Sequence, residues 1–324
     1  MPAAGPAALF GAALLVAAPC LAGPPRLSLP LDCSLGETCF IEDYVDARPG
    51  AGLADYTCGL KTREDHRGTD FALLSFDAMA RGVDVLAAAP GTVDALRDGM
   101  ADTPATAATR QALEGRECGN AVRIAHGDGW HTLYCHLEKG SLAVTEGQKV
   151  ARGDRLGRVG LSGLTNAPHL HLGVLHDGRV VDPFRPGDTP CDSDPGDGLW
   201  QTAPAYLHAG LFTAGFSAGV PDLDDVQTGD ARLRQTTPDS PLVLYGHVFH
   251  ARPGDRLTLE ATGPEGAVFS ETLILADPQA QLFRAHGRKA PPGGWLPGAY
   301  RGYVTLTRGA TVIARRHADI ELRR

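Results

Sequence analysis

No run of basic residues longer than an adjacent pair, such as Arg315-Arg316 or Arg323-Arg324, occurs in this chain, and its formal net charge is −8. Phosphate backbones are held by concentrated positive surface, so the composition argues against nucleic acid as a partner. CxxC spacing is absent, which argues against a cysteine-based metal site. Ser162-Gly163 is not part of a GxSxG elbow, and no serine triad is evident. Helix-friendly runs are scarce. The apolar run from Ala7 to Ala18, in MPAAGPAALFGAALLVAAPCLAG, is too short to span a bilayer comfortably but has the length of a signal-peptide core. Residues 1–22 are therefore read as a signal peptide cleaved after Ala22, although lysine and arginine are missing ahead of the run. The mature chain is expected to be exported, periplasmic or extracellular, with no transmembrane helix. Pro19 directly before Cys20 argues against a lipid anchor there.

What is present points to β structure. The 324 residues are enough for two domains, and 40 glycines and 24 prolines punctuate short runs rich in valine, leucine and threonine. Residues 23–60 read as a cysteine-containing lead-in. Residues 61–190 read as a compact antiparallel β domain, interrupted by a polar, alanine-rich surface insertion over 98–117. The segment GDTPCDSDPGDG (187–198) marks a boundary. Alternating strands return after residue 242, and residues 199–324 are read as an immunoglobulin-like β-sandwich. Beyond the signal segment six cysteines remain, Cys33, Cys39, Cys58, Cys118, Cys135 and Cys191, an even count that suits disulfides in an exported protein. CGNAVRIAHGDGWHTLYC reads as two strands around Gly127-Asp128-Gly129, which brings Cys118 and Cys135 to the open end of one hairpin.

Five side chains in the first β domain form a suggestive set: His66 and Asp70 in HRGTDF, His136 in YCHL, and His169 and His171 in PHLHLGV. On a strand, residues i and i+2 share a face with Cα atoms roughly 6.5–7 Å apart, so one imidazole could bind a metal while the other addresses what the metal holds. Leu170 and Leu172 would then face the core. An isolated HxH is more often two histidines on a solvated face, and His66 with Asp70 alone could be a surface ion pair. Gly68 and the β-rich run after Asp70 favour a loop entering a strand over a helix. Tyr134 should share the strand face of His136, as a helper or as packing. The remaining histidines read as ordinary surface or core residues.

HxxxD, then YxHL, then HLH, in that order, resembles the lysostaphin/LytM-type zinc metallopeptidases, and the surrounding segments VLAAAPGTV, VTEGQKVARGDRLGRVGLSG and GRVVDPF agree. The resemblance covers about residues 61–186. It implies a duplicated-hybrid-motif fold, one Zn2+ held by His66, Asp70 and His171, and His136 with His169 as the catalytic pair. It further implies hydrolysis of peptide bonds in the stem peptides or crosslinks of bacterial peptidoglycan by zinc-activated water. Alternatives are a non-catalytic peptidoglycan-binding or regulatory protein using the same groove, and a zinc peptidase acting on a non-wall peptide. The C-terminal region is expected to reach a cell-wall or protein partner. The chain departs from the family pattern at Gly163-Leu164-Thr165-Asn166-Ala167, where many members read serine-threonine-glycine, and at Leu172-Gly173, where many carry an aromatic residue and a glutamate.

Overall fold

A computed structural model of the chain describes Met1 and residues 23–323, except 49, 51, 75, 107–108, 188–192 and 277–278. Residues 2–22 of the segment read as a signal peptide, including Cys20, lie outside the described residues, as does Cys191. No helix among the described residues is long and apolar enough to cross a membrane.

The protein is mainly β. Among the described residues, ten strands precede residue 187: β1 (Cys39–Asp43), β2 (Thr69–Leu73), β3 (Asp84–Leu86), β4 (Gly91–Arg97), β5 (Asn120–Gly127), β6 (Trp130–Leu137), β7 (Lys149–Val150), β8 (Arg155–Arg158), β9 (His169–His176) and β10 (Arg179–Val180). Their main sheet runs β1-β2-β9-β6-β5-β4-β7, with β10 added to β9 and β3 paired with β8 apart from it. The β5–β6 hairpin turns as its sequence dictates. Asp128 and Gly129 both adopt positive φ, 45° and 78°, the two-residue turn that matches strand twist. Cys118 and Cys135 are bonded at its open end. A second disulfide joins Cys33 to Cys39. The insertion between β4 and β5 holds one short 3-10 turn, Gln111–Leu113.

Beyond residue 198 come β11 (Gly210–Ser217), β12 (Gln235–Thr236), β13 (Leu242–Ala251), β14 (Arg256–Gly263), β15 (Gly266–Ile274), β16 (Gln279–Arg288), β17 (Gly298–Arg308) and β18 (Thr311–Leu322). They form a three-stranded sheet, β11-β13-β16, and a five-stranded sheet, β12-β18-β17-β14-β15. Residues of both sheets, among them Phe216, Leu244, Leu259 and Val304, share one core.

The segment 23–60 is woven into the fold. β1 lies at the edge of the main sheet, and its alternation serves both cores. Cys39 and Ile41 enter the core of the first ten strands, while Phe40 enters the C-terminal core. β2 does the same, with Phe71 and Leu73 on one side and Ala72 on the other. Burying each large side chain of this kind contributes about 1.5–3 kcal/mol. β1 and β2 are therefore covered on both faces. That explains why a strand with the charged end CFIED is nearly all buried.

Candidate metal centre

Strand register assembles the site. Asp70 on β2 lies opposite His171 on β9, and Ala72 lies opposite His169. Cys135, next to His136, pairs with His171 from the other side. Leu170, Leu172 and Val174 are fully buried in the core, so the alternation of β9 sends the two histidines to the opposite face. His66 approaches from the loop before β2. Gly68 makes room for this: a Cβ there would stand 2.5 Å from His171 Nε2 and 2.7 Å from the Leu172 carbonyl oxygen.

His136 reaches the site through a bulge. Asn120 pairs with Leu137 and Val122 with Tyr134, so β6 carries one extra residue across this interval. His136 itself has φ 63°, a left-handed conformation that costs about 1–2 kcal/mol in a residue with a Cβ. The bulge breaks the simple alternation from which Tyr134 was expected to share its face. Tyr134 is fully buried in the core, where its hydroxyl accepts the Ala88 N–H at 2.8 Å.

The donor atoms converge. His66, Asp70 and His171 each offer a ligand atom, all within 4.8 Å of one another. His66 Nε2 lies 3.1 Å from Asp70 Oδ2, His171 Nδ1 lies 2.8 Å from Asp70 Oδ1, and the two ring nitrogens are 3.2 Å apart. A tetrahedral ion with bonds of about 2.0–2.1 Å holds its donors roughly 3.3 Å apart, so this set fits zinc in spacing and in donor chemistry. His136 lies 4.7 Å from His169 and 6.2 Å from His171, between ring centroids.

Backbone carbonyls fix the tautomers. His66 Nδ1 is 2.6 Å from the Tyr44 oxygen, His136 Nδ1 is 2.8 Å from the Ser162 oxygen, and His169 Nδ1 is 2.9 Å from the Ala167 oxygen. A carbonyl only accepts, so each Nδ1 carries the proton, which leaves Nε2 as the atom each ring offers to the site. His169 Nε2 is buried and has no hydrogen-bond partner, as a group reserved for something beyond the protein would be.

The electrostatics divide the set. Burial raises the Asp70 carboxyl, but His66 and Arg63 outweigh it and hold it well below the usual range. Burial lowers His66, but the Asp70 carboxylate reverses this and the net shift is upward. Burial and the neighbouring His169 push His136 well down. His169 is lowered chiefly by burial. Two of the five groups thus sit with their charged forms favoured by one another, and two are kept as neutral imidazoles.

All five residues singled out in the sequence meet here. His126 instead bridges the Pro90 carbonyl and Thr132, His131 faces Asp94, and His176 stacks on Trp130. The sequence reading passed over Arg63, which donates to Asp70 at 2.8 Å and to Asp43 at 3.0 Å, and over the carbonyls of Tyr44 and Ser162. The one signal was a pair of acids, Glu42 and Asp43, in an otherwise apolar strand.

Residues 64–183 match Peptidase family M23. Over 119 residues the chain is 31% identical to an uncharacterized metalloprotease of Haemophilus influenzae, covering 37% of this chain and 20% of that protein. It is 43% identical over 67 residues to the peptidoglycan DD-endopeptidase ShyA of Vibrio cholerae, covering 21% of this chain and 15% of the relative. With the cell division protein DipM of Caulobacter vibrioides it shares 41% identity over 70 residues, 22% of this chain and 11% of the relative. The matched segments thus span a fifth or less of these relatives. Among solved structures, the catalytic domain of the M23 protein EnpA from Enterococcus faecalis covers 46% of this chain and 92% of its own at 22% identity, with a TM-score of 0.33. The segment that carries His66, Asp70, His136, His169 and His171 is a domain of Peptidase family M23.

Proposed function

We propose that this protein is an exported zinc metalloendopeptidase that hydrolyses peptide bonds in the stem peptides or crosslinks of peptidoglycan. The observation that carries the reading is the convergence of His66, Asp70 and His171 within 4.8 Å, beside two imidazoles whose Nε2 atoms face the same space. In this reading His66 Nε2, an Asp70 carboxylate oxygen and His171 Nδ1 hold the ion. Two neutral imidazoles and one carboxylate leave a zinc site net positive, and when bound the ion acts as a Lewis acid that acidifies water and polarises the scissile carbonyl.

His136 and His169 do the proton work. Each has its Nδ1–H committed to a backbone carbonyl, so each can accept a proton only at Nε2. One takes the proton of the attacking water and passes it to the leaving amine. The other, its Nε2 lone pair free, accepts a hydrogen bond from the same water and orients it for attack. The family match and the named endopeptidase among the relatives support peptidoglycan as the substrate. The C-terminal sheets are proposed to reach a cell-wall or protein partner. Mass analysis of fragments released from purified peptidoglycan tests the reading. Wild type should release peptide-bond cleavage products, and His136→Ala and His169→Ala should release none. Full activity in either variant contradicts the assigned roles.

A further inference from the structure

A row of alternating charges leads out of the site and across to the C-terminal sheets. Asp70 Oδ2 accepts from Arg63 Nη2 at 2.8 Å, and Arg63 Nη1 donates to Asp43 Oδ2 at 3.0 Å. Asp43 Oδ1 faces Arg316 Nη2 at 3.7 Å, and Arg316 Nη1 is ion-paired with Glu42. Arg316 lies on β18, and its Nε donates to the Leu211 carbonyl on β11 at 3.1 Å, so the C-terminal sheets themselves hold it in place.

The row answers a local problem. A register shift on β1 between Ile41 and Asp43 sets Asp43 directly opposite Asp70 on β2. Like charges across a strand pair repel, and these carboxylates are only 7% and 0% exposed, where water screens them weakly. Arg63 spans both but is half-exposed, and Glu42 adds a third carboxylate. One guanidinium cannot serve all three. Arg316 supplies a second guanidinium, beside the charges of Lys61 and His66 that also act on Asp43. The boundary around it is tied down: Val312 N–H donates to the Gly36 carbonyl at 2.6 Å, and Lys61 Nζ donates to the Ile313 carbonyl at 3.3 Å.

We propose that Arg316 is a positioning residue for Asp70: by neutralising Glu42 and Asp43 it leaves Arg63 bridged to Asp70, and β18 thereby becomes part of the support of the metal site. This rests on the reading of His66, Asp70 and His171 as zinc ligands. Arg316, Asp43 and Arg63 all lie outside residues 64–183, so the support is a property of the rest of this chain. Without Arg316, the carboxylates of β1 draw Arg63 away, and Asp70 loses the N–H that fixes its orientation.

The test is the zinc dissociation constant of the full chain, by competition with a chromogenic chelator. Loss of an outer hydrogen-bond partner weakens metal binding about 10–100-fold. Arg63→Met should show such a loss, and Arg316→Met, one step further out, a loss of about tenfold. In the Arg63→Met background, Arg316→Met should add nothing, because its effect passes through Arg63. Arg316→Lys keeps the charge but loses one tip of the fork, and should weaken zinc about threefold. Should Arg316→Met not fold, the lysine variant carries the test. Wild-type affinity in the Arg316 variants, or an equal loss with and without Arg63, overturns the inference. A wild-type chain that binds no zinc overturns the metal reading instead.

Discussion

Gly68→Ala probes the narrowest fit in the site. The added methyl would stand 2.5 Å from His171 Nε2, 2.6 Å from its Cε1 and 2.7 Å from the Leu172 carbonyl oxygen. Carbon contacts are comfortable at about 3.5 Å or more, so something must move by roughly 1 Å. Leu172 cannot yield cheaply, because it pairs with Thr69 in the β2–β9 ladder and its side chain is fully buried. The His171 ring is left to move, and its Nδ1 is the atom turned toward Asp70 and His66. Displacing a ligand on this scale should weaken zinc binding about 10–100-fold and lower kcat/KM for peptidoglycan by on the order of 100-fold. Overpacking should cost about 1–3 kcal/mol of stability, which leaves the protein folded. Chelator competition, peptide release and urea unfolding on the same preparation separate the three quantities. A folded Gly68→Ala protein with wild-type zinc affinity and turnover would refute the reasoning.

Replacing both Cys118 and Cys135 by serine removes a cross-link 17 residues apart in sequence, and should destabilise the protein by about 3 kcal/mol in urea unfolding. Tyr134→Phe should cost about 1–3 kcal/mol, since the Ala88 N–H loses its acceptor in the core, and should leave kcat unchanged; a large fall in kcat would restore Tyr134 to the site. Lys61 is 3% exposed, and burial lowers its pKa to about 8. The folded state resists its charge, so the penalty holds below about pH 8 and is relieved as pH rises toward the ordinary lysine value. Wild-type stability should therefore gain up to about 3 kcal/mol relative to Lys61→Met between pH 8 and 10.5. A stability difference that stays constant over that range contradicts the burial argument.

The parts of the site that were legible in the sequence are those where chemistry demands particular side chains at short spacing. His169 and His171 stand two apart because a strand returns to the same face every second residue. The hairpin was legible because Asp128 and Gly129 suit a turn with positive φ at both positions. Tyr44 and Ser162 were not, because they act through backbone carbonyls that any residue could supply. Arg63, Asp43 and Arg316 were hidden for another reason. Their partnership depends on a bulge in β1 and on packing across more than 250 residues, neither of which leaves a periodic trace. The bulge that turns His136 into the site misled the reading of Tyr134 in the same way.

The division of labour among the five residues is the central claim, and metal analysis of purified variants tests it most directly. Zinc per chain after dialysis should be one in the wild type, His136→Ala and His169→Ala proteins, and close to none in His66→Ala, Asp70→Ala and His171→Ala. Retention of a full equivalent by Asp70→Ala, or its loss from His136→Ala, would contradict the account.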